Sequence, residues 1–588
     1  MAREFGTKRK VTGMSIPAES SRASEPERIS RRRFTACLTG LGVTSTVLAG
    51  TLWAKVQENE TAKITKEMLR EAERLAGLEF SDRERELMLD GLNNYLNTYK
   101  KLREVTLSND VAPALRFSPV IPGTTFEKQQ RPMKMSQTRK LQVPSDLEAV
   151  AFWPVTDLAF LIKSRQVSSA KLTKMYLDRL KRYDSKLRCV ITLTEDLAMR
   201  QAKRADEEIA AGHYRGPLHG IPWGAKDLLA TKGYKTTWGA MPYKDQVIDE
   251  DATVVKRLEE AGAVLVAKLT LGALAWGDVW FGGKTRNPWN PEHGSSGSSA
   301  GPAAATAAGL VGFSIGSETW GSIVSPSTIC GVTGLRPTFG RVSRYGAMAL
   351  SWSMDKIGPI CRTVEDCAIV FDAIYGPDGK DTTVVDLPFN WDTSRDLKGL
   401  KVGYLKSVFE QDRKDKQWKT NDQATLDVLR RLGLDLIPIE LPDYPIKPMG
   451  LILNVEAAAA FDEITRDNRD DLLVRQIQNA WPNRFREART VPAVEYLQAN
   501  RLRTLVMKAM REKLSGIEVY VSPSWEGENS LLTNLTGHPA VVVPNGWRKE
   551  KTPSSITFVG RLFGEDKVLA VAKAYQDATS FHLKHPLL

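Results

Sequence analysis

The feature that most constrains the fold is an alternation of short apolar segments with helical segments, which runs from about Pro144 to the C-terminus. The apolar segments have the length and composition of buried strands. We predict strands at Val190–Leu193, Val264–Val266, Leu310–Ser314, Leu400–Tyr404, Leu434–Ile439, Val519–Ser522, Ala540–Val543 and Ile556–Val559. We predict helices between them at Val155–Ser164, Ala170–Tyr183, Ala252–Glu260, Thr363–Ile374 and Asp566–Thr579. This alternation indicates an α/β fold, in which helices cover a β-sheet.

The N-terminal segment has the parts of an export signal. Arg31 to Arg33 are followed by Phe34 and by a weakly apolar stretch that ends near Trp53. A basic region before a short apolar stretch is typical of such signals, and paired arginines followed by Phe resemble the twin-arginine type, an address that a receptor reads. We therefore predict that residues 1–54 are a twin-arginine-like signal and that the protein is exported, to the periplasm or another extracytoplasmic place. The alternative is a basic tail followed by a helix, in a cytoplasmic protein.

Between this signal and the alternating region the chain has two further parts. Apolar residues recur at helical spacing between Ile64 and Glu104, which predicts two amphipathic helices with Ser81 as the N-cap of the second. The following segment is irregular and interrupted by proline. We therefore divide the chain into the signal at 1–54, a helical hairpin at 55–106, an irregular linker at 107–143 and one α/β domain at 144–588.

Composition narrows the classes of function. The formal net charge is +12, from 82 basic and 70 acidic residues, but part of this excess lies in the first 35 residues. The rest of the chain has no basic stripe interleaved with aromatic residues, so a nucleic-acid partner is not expected. The five cysteines have no CxxC pairing and the six histidines form no HExxH pattern. Neither a disulfide framework nor a metal site is expected.

Three segments carry polar residues that are candidates for a catalytic site. Two of them are serine-containing loops, and the third is an apolar run that ends in a lysine. Residues 294–338 read GSSGSSAGPAAATAAGLVGFSIGSETWGSIVSPSTICGVTGLRPT. The run Ala303–Gly309 is predicted to begin a helix whose N-terminal amides face the first serine loop. A second loop, predicted at Gly316–Ser327, contains Ser322 in a Trp-Gly-Ser-Ile step, and an upstream apolar run ends at Lys226.

These segments resemble the signature of the amidase signature family, in which a lysine, a serine after a cis peptide bond and a second serine cleave amides. The family's Gly-Gly-Ser-Ser-Gly-Gly corresponds to Ser296–Gly301, its Asp-Thr-Gly-Gly-Ser to Glu318–Ser322, and its Gly-Ile-Pro-x-x-x-Lys-Asp to Gly220–Asp227. Ser298 and Ser322 keep the family's separation of 24 positions. Other family-like stretches are Asn287–Pro291, Gly334–Thr338, Gly358–Ile360 with Thr363–Asp366, and Thr533–Leu535. The resemblance extends from about residue 146 to the C-terminus.

The resemblance implies a fold and a set of site residues. The fold would be the α/β amidase signature fold, a large mixed β-sheet core covered on both sides by α-helices, so that 144–588 is the catalytic domain. The catalytic residues would be Lys226, Ser298 and Ser322, with an oxyanion hole at Thr319, Trp320 and Gly321 and a cis Gly297–Ser298 peptide. The enzyme would be a serine amidase acting on small linear amides rather than on peptide bonds, without a cofactor or metal. A homodimer is left open, and membrane contact is expected only through the signal segment.

The chemistry of these residues fits amide cleavage. The attacking hydroxyl has to lose a proton and the leaving nitrogen has to gain one, so a relay must work in both directions. Lysine ordinarily titrates at roughly 10.4, but burial lowers its pKa by disfavouring the ammonium. A neutral Lys226 would take the proton of Ser298 while Ser298 takes that of Ser322, and backbone amides between Thr319 and Ser322 would hold the oxyanion.

Trp320 is the main departure from the family pattern, because the family usually has glycine there. An N–H donor survives this change, whereas a backbone conformation open only to glycine would not. The indole would form a wall of the substrate pocket or pack in the core, and we favour the pocket. The replacements of family glycines by Ser296 and Ala300 are expected to be milder.

Three other functions remain open. Gly297–Gly301 is a literal GxSxG, which would make the protein an α/β-hydrolase-type esterase with Ser299 as nucleophile. Gly340–Gly346 is similar to the glutamine-hydrolysing component of tRNA-dependent amidotransferases, where the same triad frees ammonia from glutamine. A non-catalytic binding protein on this scaffold is the third. Cys330, near Ser322, is expected to be a buried apolar residue rather than a nucleophile.

Overall fold

The computed structural model describes residues 63–105, 117–137 and 140–588. The predicted export signal at 1–54 lies outside these residues, as does part of the predicted linker. None of the helices in the described ranges is long and apolar enough to cross a membrane.

The strands are short, and six of the fifteen in the described ranges consist entirely of buried residues. In chain order they are β1 (Val190–Leu193), β2 (Pro222–Lys226), β3 (Val264–Leu269), β4 (Val279–Trp280), β5 (Gly283–Lys284), β6 (Arg286–Asn287), β7 (Asn290–Gly294), β8 (Phe313–Glu318), β9 (Thr333–Arg336), β10 (Lys356–Cys361), β11 (Lys401–Leu405), β12 (Asp435–Ile439), β13 (Val519–Pro523), β14 (Ala540–Trp547) and β15 (Pro553–Gly560). Eleven of these strands form one sheet in the order β1-β3-β2-β8-β10-β9-β14-β15-β13-β11-β12. The remaining four form two small hairpins, β4–β5 and β6–β7.

The large sheet is mixed, and helices flank it. Strand β2 is parallel to both β3 and β8, whereas β10 is antiparallel to β8 and β9. At the other end β11 is parallel to β12 and β13. The α/β prediction and the mixed sheet covered by helices are thus confirmed.

The α-helices alternate with these strands over most of the chain. They are α1 (Lys66–Ala76), α2 (Asp82–Arg103), α3 (Val155–Lys163), α4 (Ser169–Leu187), α5 (Glu195–Ala210), α6 (Thr253–Glu260), α7 (Ala300–Ala307), α8 (Val324–Cys330), α9 (Val364–Ile374), α10 (Lys406–Glu410), α11 (Lys416–Arg431), α12 (Leu451–Ala460), α13 (Asp462–Arg466), α14 (Trp481–Arg489), α15 (Ala493–Lys513), α16 (Asn529–Thr536) and α17 (Glu565–Asp577). The five helices predicted from the sequence correspond to α3, α4, α6, α9 and α17.

The strand predicted at Leu310–Ser314 is displaced in the structure, because β8 starts at Phe313. The preceding residues close the end of α7, where Leu310 N donates to Ala305 O and Gly309 adopts a left-handed φ of +63°. The apolar residues 310–312 are therefore buried in a turn, a role that hydrophobicity alone does not distinguish from a strand.

The sheet direction brings three chain segments to one edge. Parallel strands β2 and β8 end at this edge with Lys226 and Glu318, and antiparallel β10 begins there, since Lys356 pairs with Glu318. Loops that follow the carboxyl ends of parallel strands are the usual place of a site in α/β proteins. The loop after β8 and the serine loop before α7 meet at this edge, because Ser299 N donates to Ser322 O.

The helices α1 and α2 lie where the sequence predicts two amphipathic helices. Ser81 caps α2 in a capping box, because its Oγ accepts from Glu84 N while the Glu84 carboxylate accepts from Ser81 N. A buried ion pair of 2.8 Å between Arg85 and Glu73 joins the two helices. In the predicted linker, residues 117–137 form neither helix nor strand apart from a bridge from Lys134 to Asp392.

Candidate active site

Lys226 is the last residue of β2, an interior strand of the large sheet, and its side chain is completely buried. Its Nζ lies 2.8 Å from Ser298 Oγ, 2.9 Å from Ser317 Oγ and 3.1 Å from Ser299 Oγ. Three of its partners are thus neutral hydroxyls, and a fourth, at 3.4 Å, is the carbonyl Ser317 O. Hydrogen bonds hold the amine at the edge where the loops meet, and among the residues that the structure describes no carboxylate contacts it.

This environment changes the protonation of Lys226. Burial lowers its pKa from 10.5 to about 7, while the negative charges of Asp355 and Glu318 act in the opposite direction. A lysine with this pKa is substantially neutral near pH 7, and a neutral amine has a lone pair that can accept a proton.

The hydroxyl of Ser299 differs from the other two hydroxyls around Lys226. Ser299 Oγ donates to Ser317 O and accepts from Ser317 N, each at 3.1 Å. Its one proton is therefore engaged, and it faces Lys226 as an acceptor. Ser298 Oγ has only Lys226 as a hydrogen-bond partner among the described residues. Ser298 is thus the hydroxyl of the first serine loop that can pass a proton to the lysine.

The first serine loop has an unusual backbone. The Gly297–Ser298 peptide bond is cis, as the resemblance implied. Gly297 lies so close to a neighbouring chain segment that a Cβ would be 1.9 Å from Gly277 O. Ser296 has a left-handed φ of +60°, which glycine adopts more easily. The replacement of a family glycine by Ser296 therefore puts more strain on the backbone than expected. The Ser296 Oγ gains a 2.5 Å hydrogen bond with Ser325 Oγ in return.

The second serine loop is shorter than the predicted span of Gly316–Ser327. Strand β8 continues to Glu318 and α8 begins at Val324, which leaves residues 319–323. Ladder hydrogen bonds with β10 extend the strand through residues that read as loop in the sequence. Ser322 therefore lies on a five-residue connection between two regular elements.

Glu318 anchors this connection. One oxygen of its buried carboxylate accepts from Ile323 N and Val324 N at 2.8 and 2.9 Å. The other accepts from Arg336 and Asn534 at 2.7 and 2.8 Å. Burial by itself would raise the pKa of Glu318, but Arg336 and these donors outweigh it and lower the pKa to about 2. The carboxylate stays ionised and fixes the residues directly after Ser322.

Asp355 anchors the start of the same loop. Its Oδ1 accepts from Thr319 Oγ1 at 2.6 Å, and its Oδ2 accepts from Leu350 N and Ser351 N. Burial raises the pKa of Asp355. Sequence reasoning missed Asp355, because its contact with Thr319 depends on the pairing of β8 with β10. It also missed the anchoring role of Glu318, because Arg336 and Asn534 come from other elements, β9 and α16.

The backbone at Trp320 does not require glycine. Trp320 is absent from the described non-glycine residues with positive φ, whereas Gly321 has a φ of +85° and a Cβ there would lie 2.0 Å from the Trp525 ring. The Trp320 side chain is 44% exposed and lines a cavity of about 470 Å³ together with Thr319 and Ser322. The indole thus lies at the cavity rather than in the core.

The surroundings of Ser299 and Cys330 do not suit a nucleophile. Ser299 is buried with its proton engaged, and no hydrogen bond in the described ranges joins it to a histidine. An esterase of the α/β-hydrolase type needs such a base. Cys330 is completely buried, and burial raises the pKa of its thiol. It remains protonated, which suits a packing residue.

Comparison with known proteins identifies the family of the chain. A family model described as Amidase matches residues 171–529. The chain is 34% identical over 481 residues to the glutamyl-tRNA(Gln) amidotransferase A subunit of Methylococcus capsulatus, covering 74% of this chain and 98% of that protein. The corresponding protein of Geobacter metallireducens is 34% identical over 472 residues, with 72% and 96% covered.

Solved structures show the same relationship. Peptide amidase from Stenotrophomonas maltophilia superposes with a TM-score of 0.64 at 29% identity, covering 73% of this chain and 97% of that one. An amidase family protein from Bacillus anthracis superposes with a TM-score of 0.66 at 29% identity, with 75% and 93% covered. The chain therefore belongs to the amidase family defined by the amidase signature, and it is a hydrolase that cleaves amide C–N bonds.

Proposed function

We propose that this protein hydrolyses small linear amides with Ser322 as nucleophile, Ser298 as proton relay and Lys226 as base. The observation that carries the proposal is a completely buried Lys226, with its pKa lowered to about 7, in contact with Ser298 beside the Ser322 loop. A base with a pKa near the working pH is the most effective proton acceptor.

A relay of two proton transfers activates the nucleophile. Neutral Lys226 takes the proton of Ser298, Ser298 takes the proton of Ser322, and Ser322 Oγ bonds to the amide carbon. When the tetrahedral intermediate collapses, the C–N bond breaks and the proton returns through Ser298 to the leaving nitrogen. Water then attacks the Ser322 ester by the same relay and releases the acid.

Backbone amides of the Ser322 loop would stabilise the oxyanion. The N–H groups of Thr319, Trp320 and Gly321 donate none of the hydrogen bonds found in the described part of the chain. Donors of this kind are worth about 3–4 kcal/mol each in the transition state. Because Glu318 and Asp355 hold the two ends of the loop, the donors keep their positions during the reaction.

The test is a panel of aryl, aliphatic and peptide amides assayed with the wild type and two serine variants. Ser322→Ala should abolish turnover of every amide that the wild type cleaves and leave the thermal melt unchanged. Ser515→Ala, at an exposed serine outside the cavity that contains Ser322, is the matched control and should retain turnover. Equal activity of Ser322→Ala and Ser515→Ala would disprove the assignment of the nucleophile.

A second candidate function is the hydrolysis of glutamine, with this chain as one component of an amidotransferase. The 34% identity to the Methylococcus capsulatus amidotransferase A subunit, over 98% of that protein, favours it. About a quarter of this chain lies outside that alignment, which leaves room for a different substrate. Ammonia release from glutamine, compared with release from simple amides at equal concentration, distinguishes the two candidates.

We also propose that the protein is exported, because Arg31–Arg33 and Phe34 form a twin-arginine-like address. An extracytoplasmic amidase fits this address, whereas a protein that works on tRNA does not.

A further inference from the structure

Helix α2, Asp82–Arg103, contributes to the cavity that contains Ser322. The family match covers residues 171–529, so this helix lies outside it. Nevertheless Tyr95 and Thr98 of α2 line the same cavity as Ser322 and Trp320. The wall of the site is therefore completed by a segment that the family signature does not include.

Polar contacts attach α2 to α14. Arg486 lies 2.7 Å from Glu84, and Asn483 Nδ2 donates to Leu87 O at 3.1 Å. Just before α14, Gln478 Nε2 donates to Asp90 Oδ2 at 3.1 Å. These contacts span more than one turn of α2 and fix both its position and its rotation.

The middle of α2 packs closely against α14. A Cβ added to Gly91 would lie 1.6 Å from Glu487 Oε1 on α14, so the Glu487 carboxylate packs directly against the α2 backbone at this glycine. One turn later Tyr95 is 6% exposed, and its hydroxyl accepts from Asn454 Nδ2 at 3.3 Å. Asn454 on α12 and Arg484 on α14 also line the cavity. Tyr95 is thus fixed between two elements of the cavity wall.

The cavity has a limited volume, and its lining combines four aromatic rings with polar side chains that include Lys447, Asn479 and Arg484. Besides Tyr95, its aromatic side chains come from Trp276, Trp320 and Trp481, and its volume is about 470 Å³. A cavity of this size takes a small molecule. Offset and edge-to-face packing of rings adds favourable energy beyond burial, so the lining favours a substrate with a flat apolar group.

We infer that Tyr95 and Thr98 of helix α2 determine substrate specificity, by limiting the size of an aromatic group carried by the amide. This inference rests on the proposed function, since it takes the cavity beside Ser322 as the substrate site. Tyr95 and Thr98 contact the group beyond the scissile bond and take no part in proton transfer. The substrates are amides with one aromatic ring system whose width is set by α2.

The test compares phenylacetamide with naphthylacetamide, which is larger by one fused ring. Binding of both is measured by calorimetry to the full chain carrying Ser322→Ala, so that no turnover occurs. Thr98→Trp should weaken binding of naphthylacetamide at least tenfold more than that of phenylacetamide. Tyr95→Ala should strengthen binding of naphthylacetamide relative to that of phenylacetamide. Asn97→Trp, one residue away on the exposed face of α2, is the matched control and should leave the ratio unchanged.

The outcomes separate this inference from the proposed function. Equal affinity ratios in Thr98→Trp and Asn97→Trp, with both variants melting like the parent, would overturn the role of α2. Absence of binding for both amides would overturn it as well. If binding follows the expected ratios but the chain with Ser322 intact hydrolyses neither amide, the specificity role stands and the proposed reaction fails.

Discussion

The pH dependence of amide turnover follows from the environment of Lys226. Only neutral Lys226 can accept a proton, and its pKa is about 7. The neutral fraction is about half at pH 7 and about 1% at pH 5, from the tenfold change per pH unit. We therefore expect kcat/KM to rise with pH, with a midpoint near 7 and a loss of roughly a hundredfold between the plateau and pH 5.

The fraction of Lys226 that is neutral at pH 7 depends on the burial of its side chain. With the ordinary value of 10.5, only about 0.03% of the lysine would be neutral at pH 7, so burial increases the reactive fraction by about a thousandfold. The assay measures kcat/KM for one amide from pH 5 to 9 at constant ionic strength. Lys226→Met should remove the activity and with it the titration. A midpoint above 9, or a profile that is flat across this range, would refute the argument that a buried lysine is the base.

Three further sets of substitutions test the anchor of the Ser322 loop, the wall of the cavity and the signal segment. Glu318→Gln breaks a buried ion pair with Arg336 and should lower the free energy of unfolding by about 3–5 kcal/mol, measured by urea denaturation; a loss below 1 kcal/mol would contradict the anchoring role. Trp320→Gly should enlarge the cavity and shift kcat/KM towards bulkier amides by about tenfold or more, whereas an equal loss for all amides together with a lower melting temperature would make Trp320 structural. Replacement of Arg31–Arg33 by lysine should retain the full-length protein in the cytoplasm, and unchanged cell fractionation would exclude a twin-arginine signal.

The α/β class could be predicted because several strands are compact apolar runs. Val190–Leu193 coincides with β1, and Val519–Ser522 lies within β13. The sequence does not predict strands at β2, β9 and β10. Their sequences, PWGAK, TGLR and KIGPIC, contain glycine or proline and lack a long β-branched run. Neighbouring strands on both sides supply their hydrogen bonds, so tertiary pairing decides their conformation.

The site could be predicted only as far as sequence motifs reach. The motifs place Lys226 and Ser298 in the site, and the structure brings their side chains to 2.8 Å. They do not reveal Asp355, whose contact with Thr319 depends on the register of β10. They also do not reveal that Tyr95 lines the cavity, because α2 packs against elements about 360 to 400 residues later in the chain. Contacts at such separations leave no local pattern in a single sequence.

Chemical labelling identifies which serine is the nucleophile. A fluorophosphonate reacts with an activated serine, and mass spectrometry of the digested protein identifies the modified residue. We expect modification at Ser322, with a labelling rate that rises with pH through about 7 and falls strongly in Lys226→Met. Modification at Ser299, or a labelling rate at Ser322 that does not depend on Lys226, would contradict this expectation.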